Sequence, residues 1–474
     1  PGGPSLRRSK PPAVQAPAAQ AQGGQAVQER RDAARAGKDA MAVTHPSPRP
    51  GELAGAGPSA AGRSAGGSAG EPAALAGPVG ERKGPEGPLA GVHVLDLARV
   101  LAGPYAAMLL GDLGAEVIKV ERPGSGDDTR QWGPPFMPTG DGAESTYFLS
   151  VNRGKRSVAI DLKDPRERAF VEALVRWADV LVENFRPGVM DRLGLGDDRL
   201  AELNPRLVRL AISGFGEAGP DSDRIGYDQI LQAEGGLMSL TGTAASPAVK
   251  VGVPIADVSA GLFGVIGVLG ALVERASSGL GQRVSTSLLA AQVGIHTFQA
   301  TRYLIAGQVP GPSGNHHPTV APYGVFDAAD GPLVIAVGNE DIWRRFAPLV
   351  GLEPADRRFA TNALRLGNLA ELQQILNEGL APHTVADWLG TLRQAGVPAG
   401  ELKTLDRVYG SEQARAENLV WEVDHPLLGI IRLPGNPVHY NRSAMTPGLP
   451  PPTLGEHTDA LREALLSRAQ ADGR

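Results

Sequence analysis

The fold of this chain is constrained most strongly by an alternation of short apolar segments with helical ones between residues 88 and 215. Residues 92–97 and 116–121 are predicted to be buried strands, and a helix predicted over residues 104–113 ends at Gly114. Parallel strands need a long crossover, which is usually a helix. This strand–helix–strand unit therefore predicts a parallel sheet.

The same unit recurs further along the chain. Residues 158–162 are predicted to be a strand, and Asp164 followed by Pro165 is typical of a helix start, with an acid at the N-cap and Pro at the first helical position. Strands are then predicted over residues 179–183 and 207–213. We therefore expect an α/β fold whose large domain has a doubly wound parallel sheet.

The rest of the chain has a different character. Helices are predicted over residues 227–238, 257–276 and 287–306, and a smaller α+β region contains a predicted strand at 333–337 and a helix at 384–395. The last part is rich in Pro and short strands. We divide the chain into four parts. A disordered tail covers residues 1–87, and a large Rossmann-like domain with linker helices covers residues 88–300. A small α+β domain covers residues 301–409, and a C-terminal segment, residues 410–474, returns to the large domain.

The first 87 residues contain no Phe, Trp or Tyr. Such a segment cannot bury enough apolar surface to offset its chain entropy, so we expect it to be disordered. It lacks the apolar stretch of a secretory signal. Its Arg and Ser would fit a mitochondrial transit peptide, whereas Glu29, Asp32 and Asp39 argue against one. We therefore expect a cytoplasmic protein, with the mitochondrial matrix as the alternative.

The charge balance argues against nucleic acid as a partner. The chain has 46 Lys and Arg residues against 51 Asp and Glu, and the first 87 residues hold 11 of the basic and 7 of the acidic ones. The remainder therefore carries a net charge of −9, which would repel phosphate backbones. The chain has no cysteine, so disulfides, thiolate metal sites and a cysteine nucleophile are excluded.

Neither a metal site nor a membrane span is expected. His316 and His317 are adjacent, which is poor geometry for one metal ion. Residues 258–273 are apolar throughout, but the run is only 16 residues long and contains four glycines. It is short for a bilayer and better suited to a buried helix that packs closely on its neighbours.

One glycine motif resembles a dinucleotide site. Gly214 to Gly219 match G-x-G-x-x-G after a predicted strand. That motif also needs a helix to begin at once, so that the pyrophosphate lies at its N-terminus. Pro220, Asp221 and Asp223 follow instead, which indicates a turn with negative charge. We therefore interpret the motif as a loop and not as a nicotinamide or flavin site.

Several segments, taken together and in order, resemble the class III coenzyme A transferases, the family that includes formyl-CoA transferase and carnitine CoA-transferase. They are residues 89–96 (LAGVHVLD), 102–104 (AGP), 113–127 (LGAEVIKVERPGSGD), 152–157 (NRGKRS), 182–188 (VENFRPG), 226–228 (GYD) and 454–458 (LGEHT). Residues 127–135 and 144–147 look most like the succinyl-CoA:glutarate type. The resemblance covers about residues 88–470 and implies an interlocked homodimer.

The resemblance places the catalytic carboxylate at Asp228. In such an enzyme a protein carboxylate attacks an acyl-CoA to give a mixed anhydride, and the released thiolate then forms an aspartyl thioester that passes CoA to the acceptor acid. This requires an acid that is ionised and outside any salt bridge. Asp228 also begins a predicted helix, whose N-terminal amides could stabilise the carboxylate and a developing oxyanion. A plain helix cap is the alternative interpretation of the local sequence.

The resemblance also implies a CoA-binding surface, with the CoA thioester as substrate and no permanently bound cofactor. Its Arg and Lys side chains suit phosphates, and Phe185 could lie against the adenine or the pantetheine arm. The predicted CoA-binding residues are Leu101, Ala102, Arg122, Lys163, Asn184, Phe185, Arg192, Ser213, Gly214, Phe215 and Gly216.

The substrate pocket is expected at Gly235, Gly236, His316 and His317. Glycines near the nucleophile leave room for acyl intermediates, and a helix end is their alternative role. We hypothesise that His316 or His317 binds the second carboxylate of a diacid. Formyl-type enzymes have a glycine run where this chain has residues 311–317, so loop movement is expected to differ here. They also have a Lys in place of Ser213.

Two other functions stay open at this stage: an α-methylacyl-CoA racemase of the same family, and a non-catalytic CoA-binding protein. The racemases need a His at a position that aligns near Ala201, and no His occurs between residues 94 and 295. The presence of Asp228 argues against a non-catalytic protein. We therefore expect an enzyme that moves CoA from an acyl-CoA such as succinyl-CoA to a carboxylic acid, in particular a dicarboxylate such as glutarate.

Overall fold

The computed structural model describes residues 87–140, 142–445 and 447–471. The tail predicted to be disordered lies outside these residues, except for Gly87. The central element is a sheet of six parallel strands. They are β1 His93–Asp96, β2 Glu116–Glu121, β3 Lys155–Ala159, β4 Val180–Glu183, β5 Val208–Ser213 and β6 Arg283–Ser287.

The strands lie in the spatial order β3-β2-β1-β4-β5-β6. The order reverses between β1 and β4, which makes this a doubly wound sheet with a switch point beside β1. The predicted α/β fold class is therefore confirmed. Along β1, Val94 faces one hydrophobic core and Leu95 the other. Each fully buried side chain of this kind contributes about 1.5–3 kcal/mol.

Helices cover both faces of the sheet. The helices Ala102–Asp112 and Ile255–Ser278 pack on one face. The helices Arg168–Trp177, Asp197–Leu203 and Thr458–Ala471 pack on the other. Short apolar strands that are buried on both sides are typical of a parallel sheet with helices on each face.

The strand β6 was not predicted. Its sequence, RVSTS, is polar and short, and it lies at the edge of the sheet beside β5. An edge strand buries less apolar surface and therefore leaves a weaker pattern. The single helix predicted over residues 287–306 is instead two helices, Leu288–Ile295 and Thr297–Leu304. Thr297, the first residue of the second helix, has a φ of +46°.

The helix Ile255–Ser278 is long and apolar enough to cross a membrane, as judged by length and composition alone. Its buried face packs on the helix Ala102–Asp112 and on β5 and β6. Gly264 lies against Leu210 of β5, where an added methyl group would come within 2.9 Å of the Leu210 side chain. The predicted close packing of this helix is therefore present along one of its faces.

The segment after residue 320 forms a second core around a three-stranded antiparallel sheet, Tyr323–Ala328, Gly331–Ala336 and Ala399–Glu401. A hairpin of Val420–His425 and Gly429–Pro434 follows. The helix Thr458–Ala471, which was not predicted, packs against Arg168–Trp177. The proposed domain boundaries stay predictions.

The remaining elements are short. The α-helices are Thr146–Val151, Val189–Arg192, Asp228–Glu234, Leu237–Leu240, Glu340–Phe346, Asn362–Gly367, Leu369–Leu380, Val385–Gln394, Leu405–Tyr409 and Glu412–Ala416. The 3₁₀ turns are Asp128–Gln131, Pro165–Glu167 and Ala347–Val350, and a small hairpin joins Phe136–Pro138 to Ala143–Ser145.

Candidate active site

A cavity of about 650 Å³ lies at the carboxyl ends of five strands. Its lining includes Leu97 after β1, Arg122 after β2, Ile160 after β3, Asn184 after β4 and Ser213 at the end of β5. Ligands of doubly wound folds bind at this edge of the sheet, beside the switch point. The size is in the range of cofactor and substrate pockets.

The predicted CoA-binding residues converge on this cavity. All of them line it except Phe215 and Gly216. The Phe215 side chain is buried beneath the guanidinium of Arg224, which lies 4.2 Å from the ring centroid. Gly216 donates its backbone N–H to the hydroxyl oxygen of Ser213. These two residues therefore support the loop from behind the cavity wall.

Three of the cationic residues that line the cavity are Arg122, Lys163 and Arg192. Arg122 is half exposed and forms an ion pair with Asp128. Lys163 and Arg192 are exposed, and neither forms an ion pair with another residue that the structure describes. Exposed Arg and Lys groups suit a phosphate-bearing ligand that enters from solvent.

Asn184 has a structural task besides lining the cavity. Its Oδ1 accepts from the backbone N–H of Arg99 at 2.9 Å, and its Nδ2 donates to the carbonyl oxygen of Arg99 at 2.6 Å. Val100, which follows Arg99 in the chain, has a φ of +70° and donates its N–H to the Asp127 carboxylate. A β-branched residue in this region is strained, so these bonds hold the loop that leads to Leu101.

A buried charge network lies beneath that loop. The Nζ of Lys119 lies 2.9 Å from the Asp127 carboxylate, and the Nζ of Lys155 lies 2.9 Å from Asp96. Burial raises the pKa of Asp127, but Lys119 more than offsets this and holds it at about 2. Burial lowers the pKa of Lys155 to about 8. Sequence reasoning missed this network, although lysines inside two apolar strands are its signal.

Asp228 is partly buried at the start of the helix Asp228–Glu234. Its Oδ1 accepts from the backbone N–H groups of Ala256 at 2.8 Å and Asp257 at 3.4 Å. Its Oδ2 accepts from Nε2 of Gln232 at 2.7 Å. Among the described residues, no Lys, Arg or His pairs with it. The carboxylate is therefore hydrogen-bonded but carries no salt bridge.

The amides at Asp228 come from a different helix than expected. The sequence favoured the N-terminus of its own helix, but the Asp228 side chain makes no capping bond there. The donors Ala256 and Asp257 belong to the first turn of Ile255–Ser278. The positive end of that longer helix faces the carboxylate, which favours its negative charge.

Asp257 lies beside Asp228 and lines the cavity. Asp228 itself is not among the lining residues, although Gly226 and Tyr227, which precede it in the chain, are. Burial, and then the charge of Asp228, raise the pKa of Asp257 to about 7. Asp257, which lines the cavity, and Asp228, which does not, therefore interact without a salt bridge from either to a residue that the structure describes.

The first glycine of the G-x-G-x-x-G motif serves a close contact of two loops. A methyl group on Gly214 would lie 2.8 Å from the Cα of Gly226, and one on Gly226 would lie 2.5 Å from the Cα of Gly214. No helix begins directly after the motif, since the next one starts at Asp228. The motif is therefore a loop in the structure, and the absence of nicotinamide or flavin binding stays a prediction.

The profile of CoA-transferase family III matches residues 89–458. The chain belongs to this family.

Solved and curated relatives agree with that assignment. The chain is 42% identical to succinyl-CoA:glutarate CoA-transferase from Mus musculus over 381 residues, which is 80% of this chain and 86% of that protein. It is 39% identical to succinate–glutarate CoA-transferase from Agrobacterium fabrum, over 78% and 94% of the two chains. The crystal structure of a CAIB/BAIF family protein from Brucella suis superposes with a TM-score of 0.72 at 39% identity, covering 80% of this chain and all of that one.

The four residues of the substrate pocket predicted for this CoA-transferase contact different neighbours. Gly235 and Gly236 end the Asp228 helix, and a methyl group on Gly235 would lie 2.9 Å from Cβ of Gln292. The ring of His317 stacks on Phe298 at 5.5 Å and on Tyr323 at 5.2 Å.

His316 lies in a different setting from its neighbour. Its ring meets Phe326 edge-on at 5.5 Å, and its backbone pairs with Gly324. Neither histidine nor either glycine lines the cavity. The role of the four residues in diacid binding stays a prediction.

Tyr147 lies within reach of the charges of both carboxyl groups, outside the cavity lining, and sequence reasoning did not single it out. It is half buried, and the Trp132 ring meets it edge-on at 5.1 Å. Burial, followed by the charges of Asp257, Asp228 and Asp127, raises its pKa to about 12. The phenol therefore stays neutral beside the two carboxyl groups. The sequence signal for Tyr147 was the segment 144–147, which the sequence analysis used only as part of the family resemblance.

Within the part of the chain that the structure describes, no group of three or more His, Asp or Glu residues is arranged to hold a metal ion. Ala201, at the position where a racemase would carry its His, is exposed on the helix Asp197–Leu203. Among the described residues, the hydrogen-bond partners of the Asp228 carboxylate are Gln232, Ala256 and Asp257, and none is a histidine.

Proposed function

We propose that this enzyme transfers CoA from an acyl-CoA such as succinyl-CoA to a dicarboxylate such as glutarate, through covalent intermediates on Asp228. The observation that carries the proposal is the carboxylate of Asp228, which is hydrogen-bonded by two backbone amides and free of any salt bridge to a described residue. The names of the mouse and Agrobacterium relatives support this pair of acids.

The reaction conserves the thioester because every step passes through Asp228. One Asp228 oxygen attacks the acyl-CoA carbonyl and expels the CoA thiolate, which leaves a mixed anhydride. The thiolate then attacks Cγ of Asp228, and the donor acid departs with the bridging oxygen. The acceptor carboxylate attacks the resulting aspartyl thioester at Cγ and again expels the thiolate. The thiolate finally attacks the acceptor carbonyl, which restores the Asp228 carboxylate.

The two oxygens of Asp228 have different hydrogen-bond partners, which suits them to different roles. Oδ1 faces the amides of Ala256 and Asp257, which would stabilise negative charge on it when Cγ is attacked. Oδ2 is bound only by the side chain of Gln232. We therefore assign Oδ1 as the oxygen that is retained and Oδ2 as the oxygen that forms and breaks the anhydride.

The cavity supplies binding energy far from the reacting carbon. Arg122, Lys163 and Arg192 would meet the phosphates, while the pantetheine arm would run past Ser213 and Gly214 towards Asp257. Energy from this remote contact can be used to align the thioester with Asp228. CoA enters and leaves as part of the substrate, and we propose no permanently bound cofactor.

We also propose that the enzyme is an interlocked homodimer. One face of the helix Ile255–Ser278 is apolar and exposed, with Leu262 at 45%, Ile266 at 64% and Val273 at 74% exposure. A soluble monomer rarely leaves such a continuous apolar strip in water. A second copy of the chain would cover it. Residence in the cytoplasm, with the mitochondrial matrix as the alternative, stays a prediction that cell fractionation would test.

The test of the function is direct. The purified enzyme is incubated with succinyl-CoA and glutarate, and the CoA esters are separated and identified by mass spectrometry. We expect glutaryl-CoA to form, and a protein adduct of the mass of CoA to appear on the peptide that contains Asp228. Exchange of the α-proton for deuterium without any transfer would support the racemase instead. CoA binding with neither reaction would support a non-catalytic protein.

A further inference from the structure

Asp257 has surroundings that the transfer chemistry does not by itself explain. Its carboxyl group lines the cavity where the thioester would end, next to Asp228. No described residue donates a hydrogen bond to it or forms an ion pair with it. Asp257 is partly buried, and an acid in such a setting with neither a donor nor a cation is costly to ionise.

The proton of this pair belongs on Asp257 rather than on Asp228. Asp228 accepts hydrogen bonds from Gln232, Ala256 and Asp257, all of which favour its charged form. Asp257 accepts none from the described residues, and Asp228 repels its charge. Two adjacent carboxyl groups without a cation hold one negative charge more easily than two.

The neighbouring groups leave this arrangement intact. Tyr147, on the helix Thr146–Val151, interacts with the charge of both carboxyl groups and is itself neutral. The charge of Asp127 reaches Tyr147 but is paired with the buried Lys119. On the packed helix Ala102–Asp112, Tyr105 interacts with Arg153 and Asp112 and not with Asp257. Among these groups, Asp228 is the one whose charge acts on Asp257.

We propose that Asp257 is a catalytic residue that works in its protonated form, and that its carboxyl O–H donates a hydrogen bond to the CoA sulfur while the sulfur is a thiolate. This rests on the proposed function and deepens it. The negative charge passes from Asp228 to the sulfur and on to the departing acid, so one charge is present throughout. Asp257 therefore keeps its proton and acts as a fixed donor.

The proposal predicts a specific pH dependence. As the pH rises through about 7, Asp257 loses its proton, and a second negative charge then opposes the thiolate. We expect kcat for the conversion of succinyl-CoA and glutarate to fall at high pH, by about tenfold per pH unit well above the midpoint. Glutarate itself is fully ionised there, since ordinary carboxylic acids titrate near pH 4.

The test compares two substitutions. Asp257→Asn keeps a hydrogen-bond donor of the same shape but cannot ionise, so kcat should stay within about tenfold of wild type at pH 6 and should not fall at high pH. Asp257→Ala removes the donor and should lose about a hundredfold at pH 6. Asp223→Asn, on an exposed loop outside the cavity lining, is the matched control and should keep the wild-type profile.

A second readout does not depend on turnover. The infrared difference spectrum of wild type minus Asp257→Asn at pH 6 should contain the carbonyl band of a protonated carboxylic acid, and this band should vanish as the pH rises past 7. A wild-type kcat without a high-pH fall, an Asn variant that retains that fall, or a missing band would each overturn the proposal. If the wild-type spectrum contains the band but the enzyme makes no glutaryl-CoA, the proposed function is wrong, whereas the protonation of Asp257 is supported.

Discussion

The carboxylate of Asp228 accepts a hydrogen bond of 2.8 Å from the backbone N–H of Ala256, which lies 28 residues further along the chain. The nucleophile and the amides that stabilise it therefore come from two separate helices. Any change in the packing of these helices alters the donor geometry at the reacting carboxylate. The catalytic arrangement thus depends directly on the core that holds the helix Ile255–Ser278 in place.

The first prediction concerns the nucleophile. Asp228→Asn should lower kcat for transfer by about a thousandfold or more, because an amide cannot form the anhydride. CoA binding, measured by calorimetry, should change little, since the cavity lining is untouched. Asp223→Asn serves as the control for the loss of one negative charge nearby. A variant Asp228→Asn that still turns over at the wild-type rate would exclude covalent catalysis by this residue.

The second prediction concerns the contact between two loops. Gly226→Ala would place a methyl group 2.5 Å from the Cα of Gly214, where neither backbone can yield easily. We expect the affinity for CoA to fall by about tenfold or more, together with a loss of about 1–3 kcal/mol in the free energy of unfolding. Both are measurable, by calorimetry and by urea denaturation.

The matched control for that variant is Gly390→Ala. Gly390 is exposed inside the helix Val385–Gln394, with nothing within 4 Å of an added methyl group. Alanine there should raise the free energy of unfolding by about 0.5–1 kcal/mol, because it restricts the unfolded chain and favours the helix. Equal effects of the two substitutions would contradict the close approach of the loops.

Much of the fold was accessible from local patterns. The strand Glu116–Glu121 was predicted with the bounds that it has, because apolar residues and a glycine stop mark it clearly. The predicted CoA-binding residues rest on the family resemblance, and most of them line one cavity because it lies where the parallel strands end. Periodicity fails where an element is short and polar, as in Arg283–Ser287.

The active site was only partly accessible. Asp228 could be placed by resemblance, but the donors Ala256 and Asp257 depend on how two helices meet in three dimensions. The unpaired state of Asp257 likewise depends on which cations lie nearby in space. A sequence pattern records neighbours along the chain, whereas the proton affinity of a buried carboxyl is set by neighbours across the fold.

The third prediction concerns the buried network beneath Val100. Asp127 has a pKa of about 2 in the folded chain, below its ordinary value of 3.8. The group therefore stabilises the fold above about pH 4, and that contribution is lost as the pH falls towards 2. Asp127→Asn should lower the free energy of unfolding at pH 7 by about 2 kcal/mol. The variant should also lose less of its free energy of unfolding than wild type between pH 4 and 2.

Denaturation at pH 7, 4 and 3 would measure this effect. The matched control is Asp164→Asn, which removes a surface ion pair between Asp164 and Arg166. This substitution should change the free energy of unfolding little, because water screens the pair. A similar effect of both substitutions would contradict a specific role for the buried pair of Lys119 and Asp127. The Asp127 variant should also bind CoA more weakly, since an amide offers the Val100 N–H one acceptor oxygen where the carboxylate offers two.

The fourth prediction tests the diacid role of His317. If its ring binds the second carboxylate, His317→Ala should raise KM for glutarate by about tenfold or more, with a smaller effect on kcat, because a hydrogen bond to a charged group is worth about 1.5–3 kcal/mol. His383→Ala, a histidine that instead packs edge-on against Trp388, is the control. An unchanged KM for glutarate would count against the hypothesis.

The fifth prediction concerns assembly. Ile266 and Val273 are apolar and mostly exposed on one face of the helix Ile255–Ser278. Ile266→Asp should shift the mass measured by light scattering from two chains to one, because a buried, unpaired carboxylate at the interface is strongly unfavourable. Leu405→Asp, at an equally exposed leucine on the short helix Leu405–Tyr409, should leave the mass unchanged. A wild-type enzyme that is already a single chain in solution would contradict the proposed dimer, and the exposed face of this helix would then need another partner.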